Sequence, residues 1–207
     1  MPGFNIGGFR ANGLKDGGAR PTLFAVTLTF PTLGEIAPDA KAQLQFLCRS
    51  ASLPPSVINK VPVPYFGRKI NLAGDRDFAD WQITVLNDED FALRDAFEAW
   101  HNAMNTIVSN RLDTRVAGTI PTLGNSYKTV GLVTQFAKTG PGDIDGEGAI
   151  KTYKFEGMFP TEVDPIRLDW DATNAVEEFN VTFAIDWWEP MIRANDLPIF
   201  PLELNPA

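Results

Sequence analysis

The feature that most constrains this chain is the alternation of apolar and polar side chains between Lys151 and Trp188. In the second half of this stretch, one face would carry Phe179, Val181, Phe183, Ile185 and Trp187. The opposite face would carry Asn180, Thr182, Ala184, Asp186 and Trp188. A period of two residues maintained over ten positions is typical of a half-buried β-strand. The first half alternates in the same way through Tyr153, Phe155, Gly157 and Phe159, so we predict two strands that form the wall of a sheet or barrel.

Other segments complete the predicted wall. Strands are expected at Thr22–Phe30, Leu44–Ser50, Phe78–Leu86 and Tyr127–Ala137. One amphipathic helix is expected from a cap at Asn87–Asp90 to about Met104, with an apolar stripe of Leu93, Phe97, Trp100 and Met104. The 16 prolines and 17 glycines suit many short strands better than a helical bundle. The predicted fold class is therefore mainly β, an antiparallel sandwich or barrel with one flanking helix.

The pattern lapses at both ends of the chain. We predict a flexible arm at residues 1–20, one β-domain at 21–189 and a second arm at 190–207. Residues 105–126 have no periodicity and are interpreted as an irregular excursion, and Thr139–Gly148 as a hairpin turn. No apolar run approaches the ~20 residues that span a bilayer, so no membrane-spanning segment is expected. The first residues lack the apolar core of a secretory signal.

The inventory for catalysis is thin. Cys48 is the single cysteine and is interpreted as a buried small hydrophobe, while His101, the single histidine, is predicted on the exposed face of the helix. Clusters of His and Cys that could bind a metal are absent from the sequence. Asp143, Asp145 and Glu147 alternate beside glycine, but the set is too incomplete for a calcium loop. We expect no catalytic residue, no metal site and no cofactor.

One proline-rich segment, Leu53–Lys69, retains β-branched and aromatic residues between its prolines. Proline cannot donate a ladder hydrogen bond, so the segment cannot be a central strand. It is expected to be an edge hairpin or a projecting loop, and its apolar groups favour a partner surface over a loop folded back on its own domain.

The chain carries 18 basic and 26 acidic residues, a formal charge of −8. This charge balance argues against tight binding of nucleic acid, which needs clustered Lys and Arg. It would suit a surface along which a polyanion slides.

Three parts of the chain together resemble the tail tube proteins of contractile-tailed bacteriophages of the T4-like myovirus group. The first part comprises Tyr153, Phe155, Gly157, Phe159, Pro160, Val163, Asp164, Ile166, Leu168, Asp169, Trp170, Val176, Phe179, Val181, Thr182, Phe183, Asp186 and Trp188. The second is Phe46–Pro55 with the VPYFGRKINLAGDRDFADWQITVLND stretch that follows, and the third is the DFALRDAFEAWHNAMN helix. The similarity covers about residues 21–189.

The resemblance implies hexameric rings that stack into a tube inside a contractile sheath, in the tail of a virion. It implies tail sheath, baseplate and tail terminator proteins as partners, and DNA that passes through the lumen without specific binding. The candidate inter-ring contact residues are Val57, Ile58, Val61, Val63, Tyr65, Phe66 and Arg68. The candidate residues for the ring or lumen face are Asn180, Thr182 and Asp186.

Two alternatives remain open from the sequence. One is the inner tube of a related injection machine, such as a phage-tail-like bacteriocin or a type VI secretion system. The other is a monomeric β-sandwich module that binds carbohydrate through aromatic platforms. Trp81 and Trp100 fall on predicted core faces, which favours packing as their role.

Overall fold

The computed structural model describes residues 18–31, 40–107, 127–138 and 148–191. Four predictions lie mostly or wholly outside these residues: the two arms, the 105–126 excursion, and the 139–148 turn with its three carboxylates. In chain order the elements are β1 (Phe24–Leu28), α1 (Ala40–Leu47), β2 (Cys48–Ala51), β3 (Val57–Tyr65), β4 (Arg68–Asp77), β5 (Trp81–Leu86), α2 (Ala92–Met104), β6 (Thr129–Phe136), β7 (Ala149–Val163), β8 (Glu178–Ala184) and β9 (Trp187–Met191).

The main sheet is antiparallel and has the strand order β1-β6-β7-β8-β5-β2, with β9 pairing beside β8 along β7. The two outermost strands, β1 and β2, approach each other without hydrogen bonding, so the sheet curls toward a barrel. Helix α1 packs against β1, β2 and β5, and α2 packs on α1 and β7. The predicted fold class is confirmed, with a second short helix added.

The predicted pair of long strands is the spine of this sheet. Strand β7 pairs with β9 through Thr152–Glu156 and with β8 through Phe159–Val163. On its opposite edge β7 pairs with β6. Strands β8 and β9 follow each other along one edge of β7. Lys151–Trp188 therefore forms one long antiparallel pair.

Both sides of this antiparallel pair are irregular at the same point. Gly157 has φ +65°, and the main-chain nitrogen of Asp186 donates to the carbonyl of Glu156 over 3.1 Å. The Asp186 carboxylate occupies the space beside Gly157 where a side chain would begin. It accepts from Lys128 Nζ at 2.7 and 2.8 Å. An irregularity of this kind bends a sheet and changes the phase of its alternation.

The change of phase corrects one face of the predicted pattern. Phe179, Val181 and Phe183 are buried as predicted, and Ile185 packs against the core. Beyond Asp186 the phase changes: Trp187 is half exposed and Trp188 packs against the core. The assignment of Trp187 to the core face was wrong, because periodicity alone cannot reveal a break between two strands.

Two other local predictions were wrong. Residues 40–47 form a helix where a strand was expected to begin at Leu44: Leu44 is buried, while Phe46, its predicted neighbour on the same face, is exposed. The Ala-Lys-Ala-Gln-Leu-Gln composition favours helix, and the burial of Leu44 fits either period. Helix α2 begins at Ala92 without a side-chain cap, after Phe91 in the left-handed region, because Asp88 is used in the turn before it.

The core lies between the sheet and α2. The helix buries Leu93, Ala96, Phe97 and Trp100, as its stripe predicted. Phe97 meets the rings of Phe179 and Phe183 at centroid distances of 6.4 and 5.9 Å, in edge-to-face geometry. Such aromatic pairs add about 0.5–1.5 kcal/mol beyond burial, so α2 is fixed on β8.

The bend predicts an asymmetry between two glycines. We expect Gly157→Ala to lower the free energy of unfolding by about 2–4 kcal/mol, since it combines a left-handed backbone with displacement of the Asp186 carboxylate. Gly67→Ala is the matched control: its φ is +78°, but no atom lies within 4 Å of the new methyl group. The control should cost only about 1–2 kcal/mol, the cost of the left-handed backbone by itself. Equal losses in urea denaturation would contradict the role of Asp186.

Candidate assembly surfaces

The proline-rich segment is a hairpin that stands apart from the main sheet. Strands β3 and β4 form a separate two-stranded sheet in which almost every residue is exposed. With β3 nine residues long, the hairpin extends by about 30 Å at ~3.3 Å per residue. An isolated ribbon has no central strand, so it accommodates Pro62 and Pro64. The prediction of a projecting structure is confirmed.

The register divides the hairpin into two faces. Val61 faces Leu72, and Val63 faces Ile70, so cross-strand pairs place these four apolar side chains together. On the opposite face Lys60 faces Ala73, Pro62 faces Asn71, and Pro64 faces Lys69. We call the Val61, Val63, Ile70 and Leu72 surface the apolar face of the hairpin.

All seven candidate inter-ring residues lie on this hairpin and are exposed. The prediction from the sequence did not include Ile70 and Leu72, which are also exposed and complete the apolar face. The signal for them was the alternation within Arg68–Leu72, which matches that of the preceding strand.

The tip of the hairpin is a two-residue turn at Phe66 and Gly67, with φ of 45° and 78°. Positive φ at both central residues is typical of a type I′ turn, which favours Asn-Gly. A phenylalanine at the first position is uncommon, since the left-handed region is unfavourable for residues other than glycine. Phe66 is nevertheless 91% exposed, and its ring lies edge-on to Tyr65 at a centroid distance of 4.7 Å.

The three residues predicted for a ring or lumen face have different surroundings. Asn180 and Thr182 are half-buried on the outer face of β8. Asn180 accepts from Thr84 Oγ1 and donates to Asp164 Oδ2, each over 2.9 Å. Asp186 is exposed at the bend and is paired with Lys128. Two of the three therefore share one polar surface, and the third lies at the irregularity between β8 and β9.

The connection between β7 and β8 is a second exposed surface. We call residues 164–178, which are this connection and the first residue of β8, the acidic link. Leu168, Trp170 and Val176 are largely exposed there, and they help to line a cavity of about 380 Å³. These residues contribute to the resemblance in sequence, but no pattern in the sequence identified them as a surface.

Cys48 and His101, the two side chains considered for catalysis, are both partly buried. Burial raises the pKa of Cys48 to about 12, and its thiol donates to the Ser50 carbonyl at 3.5 Å. A thiol with such a pKa is a poor nucleophile near neutrality. His101 is half-buried, so its prediction as a solvated surface residue was wrong. Burial lowers the pKa of His101, although a hydrogen bond with the Pro160 backbone opposes the shift.

Within the ranges that the structure describes, no group of three or more His, Cys, Asp or Glu side chains could hold a metal ion. Among the helices of those same ranges, none is long and apolar enough to cross a membrane. Trp81 and Trp100 are buried, which confirms packing as their role.

Solved structures with a similar fold come from contractile injection machines. The chain matches a subunit of the PVC extracellular contractile injection system sheath–tube complex in the extended state with a TM-score of 0.55 and 11% identity, over 91% of this chain and 99% of that one. It matches the cap that terminates the tube of the anti-feeding prophage with a TM-score of 0.55 and 15% identity, over 84% and 90%. At these identities the similarity shows the fold alone.

The sequence comparisons are more specific. The family described as phage tail tube protein matches residues 19–190. Tail tube protein gp19 of Enterobacteria phage T4 is 34% identical over 171 residues, which cover 83% of this chain and 91% of that protein. The tail tube protein of Serratia phage KSP90 is 25% identical over 172 residues, covering 83% and 88%. The chain belongs to the phage tail tube protein family.

Proposed function

We propose that this protein is the structural subunit of a tail tube in a phage virion. Six copies form a ring, rings stack into a tube, and the genome passes through the lumen during ejection. Membership of the family supports the role as a tube subunit. The observation in this chain that supports the stacking of rings is the exposed hairpin of β3 and β4. The surrounding tail sheath, the baseplate and the tail terminator are the partners expected for such a tube.

The hairpin has the properties of an interface with a second copy. Its apolar face consists of side chains that are each about half exposed, from Val63 at 41% to Leu72 at 53%. Contiguous apolar surface on a soluble chain marks a site of interaction. Burying apolar area contributes about 25 cal/mol per Å², so covering this face in every copy of a ring stabilises a stack substantially.

Ring closure is supported by the sheet edges. In the described residues β1 pairs only with β6, and β2 only with β5. The unpaired edges of β1 and β2 adjoin the gap where the curled sheet stays open, and unpaired edges are templates for association unless they are covered. Side-by-side contact of copies around a ring would cover such edges, and the polar face with Asn180 and Thr182 is proposed to face the ring or its lumen.

Net charge supports passage of DNA without capture. With a formal charge of −8, the chain would repel a polyanion more than retain it. No specific contact to DNA is required of any residue in this proposal.

The apolar face of the hairpin predicts the result of paired substitutions. Val63→Ser with Ile70→Ser should leave the domain folded and the rings intact but prevent their stacking. These side chains contribute nothing to the core, while their loss removes about 2–3 kcal/mol from each inter-ring contact. Negative-stain electron microscopy and sedimentation would distinguish rings from tubes.

The matched control for that pair is Pro62→Ser with Asn71→Ser, on the opposite face at the same height of the hairpin. Tubes of ordinary length are expected from the control. Shortening the hairpin by replacing Val61–Leu72 with Asn-Gly should likewise give folded rings without tubes. Tubes of normal length from either apolar-face variant would remove the hairpin from the interface.

Phe66 predicts a separation between stability and assembly. Phe66→Asn places a residue that favours the type I′ turn at its first position, so the folded domain should be as stable as the parent or slightly more stable. Assembly should need about tenfold more protein, because one buried aromatic contact is lost from each inter-ring contact. Thermal unfolding and the concentration dependence of light scattering measure the two effects. Unchanged assembly would show that Phe66 lies outside the contact.

A further inference from the structure

The acidic link is an anchored surface with exposed apolar groups. Asn87 holds its end, since the Asn87 main-chain nitrogen donates to the Glu177 carbonyl at 2.9 Å and the side chain to Glu177 Oε2 at 3.0 Å. Asp164 at its beginning donates its main-chain N–H to the Asn180 carbonyl at 2.9 Å. Between these anchors, Trp170 is fully exposed. An aromatic side chain presented in this way is typical of the residues that dominate the binding energy of an interface.

The link and the hairpin are complementary in charge. The link, residues 164–178, contains five acidic side chains and one basic side chain. The hairpin, residues 57–77, contains four basic and two acidic side chains. Both also expose apolar side chains, with Leu168, Trp170 and Val176 on the link and the apolar face on the hairpin. Opposite charge at the rim of apolar surfaces steers two such surfaces together and fixes their register.

The two surfaces lie at opposite ends of one strand. The hairpin ends at Asp77, shortly before β5 begins at Trp81. The link ends at Glu178, which pairs with Leu86 at the other end of β5. The connection before the hairpin is fixed at the first end as well, because Trp81 Nε1 donates to the Ser52 carbonyl at 2.8 Å. A protruding surface at one end and its complement at the other generate open, head-to-tail assembly.

We propose that the apolar face of the hairpin of one copy docks on the acidic link of a copy in the adjoining ring. This inference rests on the proposed stacking of rings and adds the receiving surface. The apolar face covers Leu168, Trp170 and Val176, and the cavity of about 380 Å³ beside them receives side chains of the hairpin. Arg68 faces Tyr65 on the same side of the ribbon as the apolar face and lies at its rim, where the link acids can attract it.

Cross-linking between two singly substituted proteins tests the contact. Val63→Cys and Leu168→Cys are purified separately, mixed, assembled and treated with a short bismaleimide. Both positions are exposed, so neither substitution perturbs the core. Native Cys48 contributes little background, since burial raises the pKa of its thiol to about 12. Mass spectrometry should find a dimer joined through residues 63 and 168, in the stacked fraction and not in dispersed rings.

The control mixture replaces Val63→Cys with Asn71→Cys, on the opposite face of the hairpin. It should give about tenfold less of the cross-link, because side chains on the two faces of a ribbon point apart. Stacks that form without the 63–168 product, or with Leu168→Cys joined to another surface, would overturn the docking site and leave the tube intact. A parent protein that forms no stacks at all would overturn the proposed function itself.

A second variant gives an independent outcome. Trp170→Ser removes an exposed indole group without touching the core. Rings of subunits should therefore still form, but they should not stack into tubes. If Trp170→Ser tubes assemble at the parent concentration, the acidic link does not receive the hairpin. Trp187 on β9 is a second exposed tryptophan and provides the matched control. Trp187→Ser should leave stacking through the link unchanged, because Trp187 lies outside the link.

Discussion

The structure depends on the pairing of β7 with three neighbours at once. Its first part joins β6 and β9, and its last part joins β8, so one strand of fifteen residues holds the curved sheet together. The bend that permits this is the irregularity at Gly157 and Asp186, where an absent side chain makes room for a carboxylate. A side chain at Gly157 would push the strands apart and remove the ion pair with Lys128. The order of the strands in turn places the hairpin and the acidic link at opposite ends of β5.

The sequence was informative wherever burial alone decided the pattern. Phe179–Phe183 and Trp81–Val85 alternate against one core, and the stripe of α2 packs on the same core, so periods of 2 and 3.6 predicted them correctly. It failed where a local feature outweighed periodicity. Trp188 takes the core position predicted for Trp187 because the strand breaks at Asp186, and α1 replaces a strand because Leu44 satisfies either period.

The surfaces were only partly predictable for a physical reason. The prolines in β3 indicated a strand outside the main sheet, and the apolar side chains beside them indicated a partner surface. Which residues of β3 and β4 face each other depends on the register of the two strands, which the sequence does not show. Register joined Ile70 and Leu72 to the apolar face. The acidic link was even harder to predict, since nothing in its sequence distinguishes an exposed Trp170 from a buried one. The surroundings of His101 show the same limit, because its burial involves the backbone of Pro160 on β7 and not only its own helix.

The central claim is that another copy of the chain covers the hairpin, and hydrogen exchange tests it most directly. Deuterium uptake is compared between dispersed rings and assembled tubes for peptides from β3–β4. Peptides from β5 serve as the internal reference, since β5 is already paired on both sides in a single copy. We predict that uptake in Val57–Asp77 falls strongly on stacking while uptake in Trp81–Leu86 is unchanged. A hairpin that exchanges equally fast in rings and in tubes would contradict the claim.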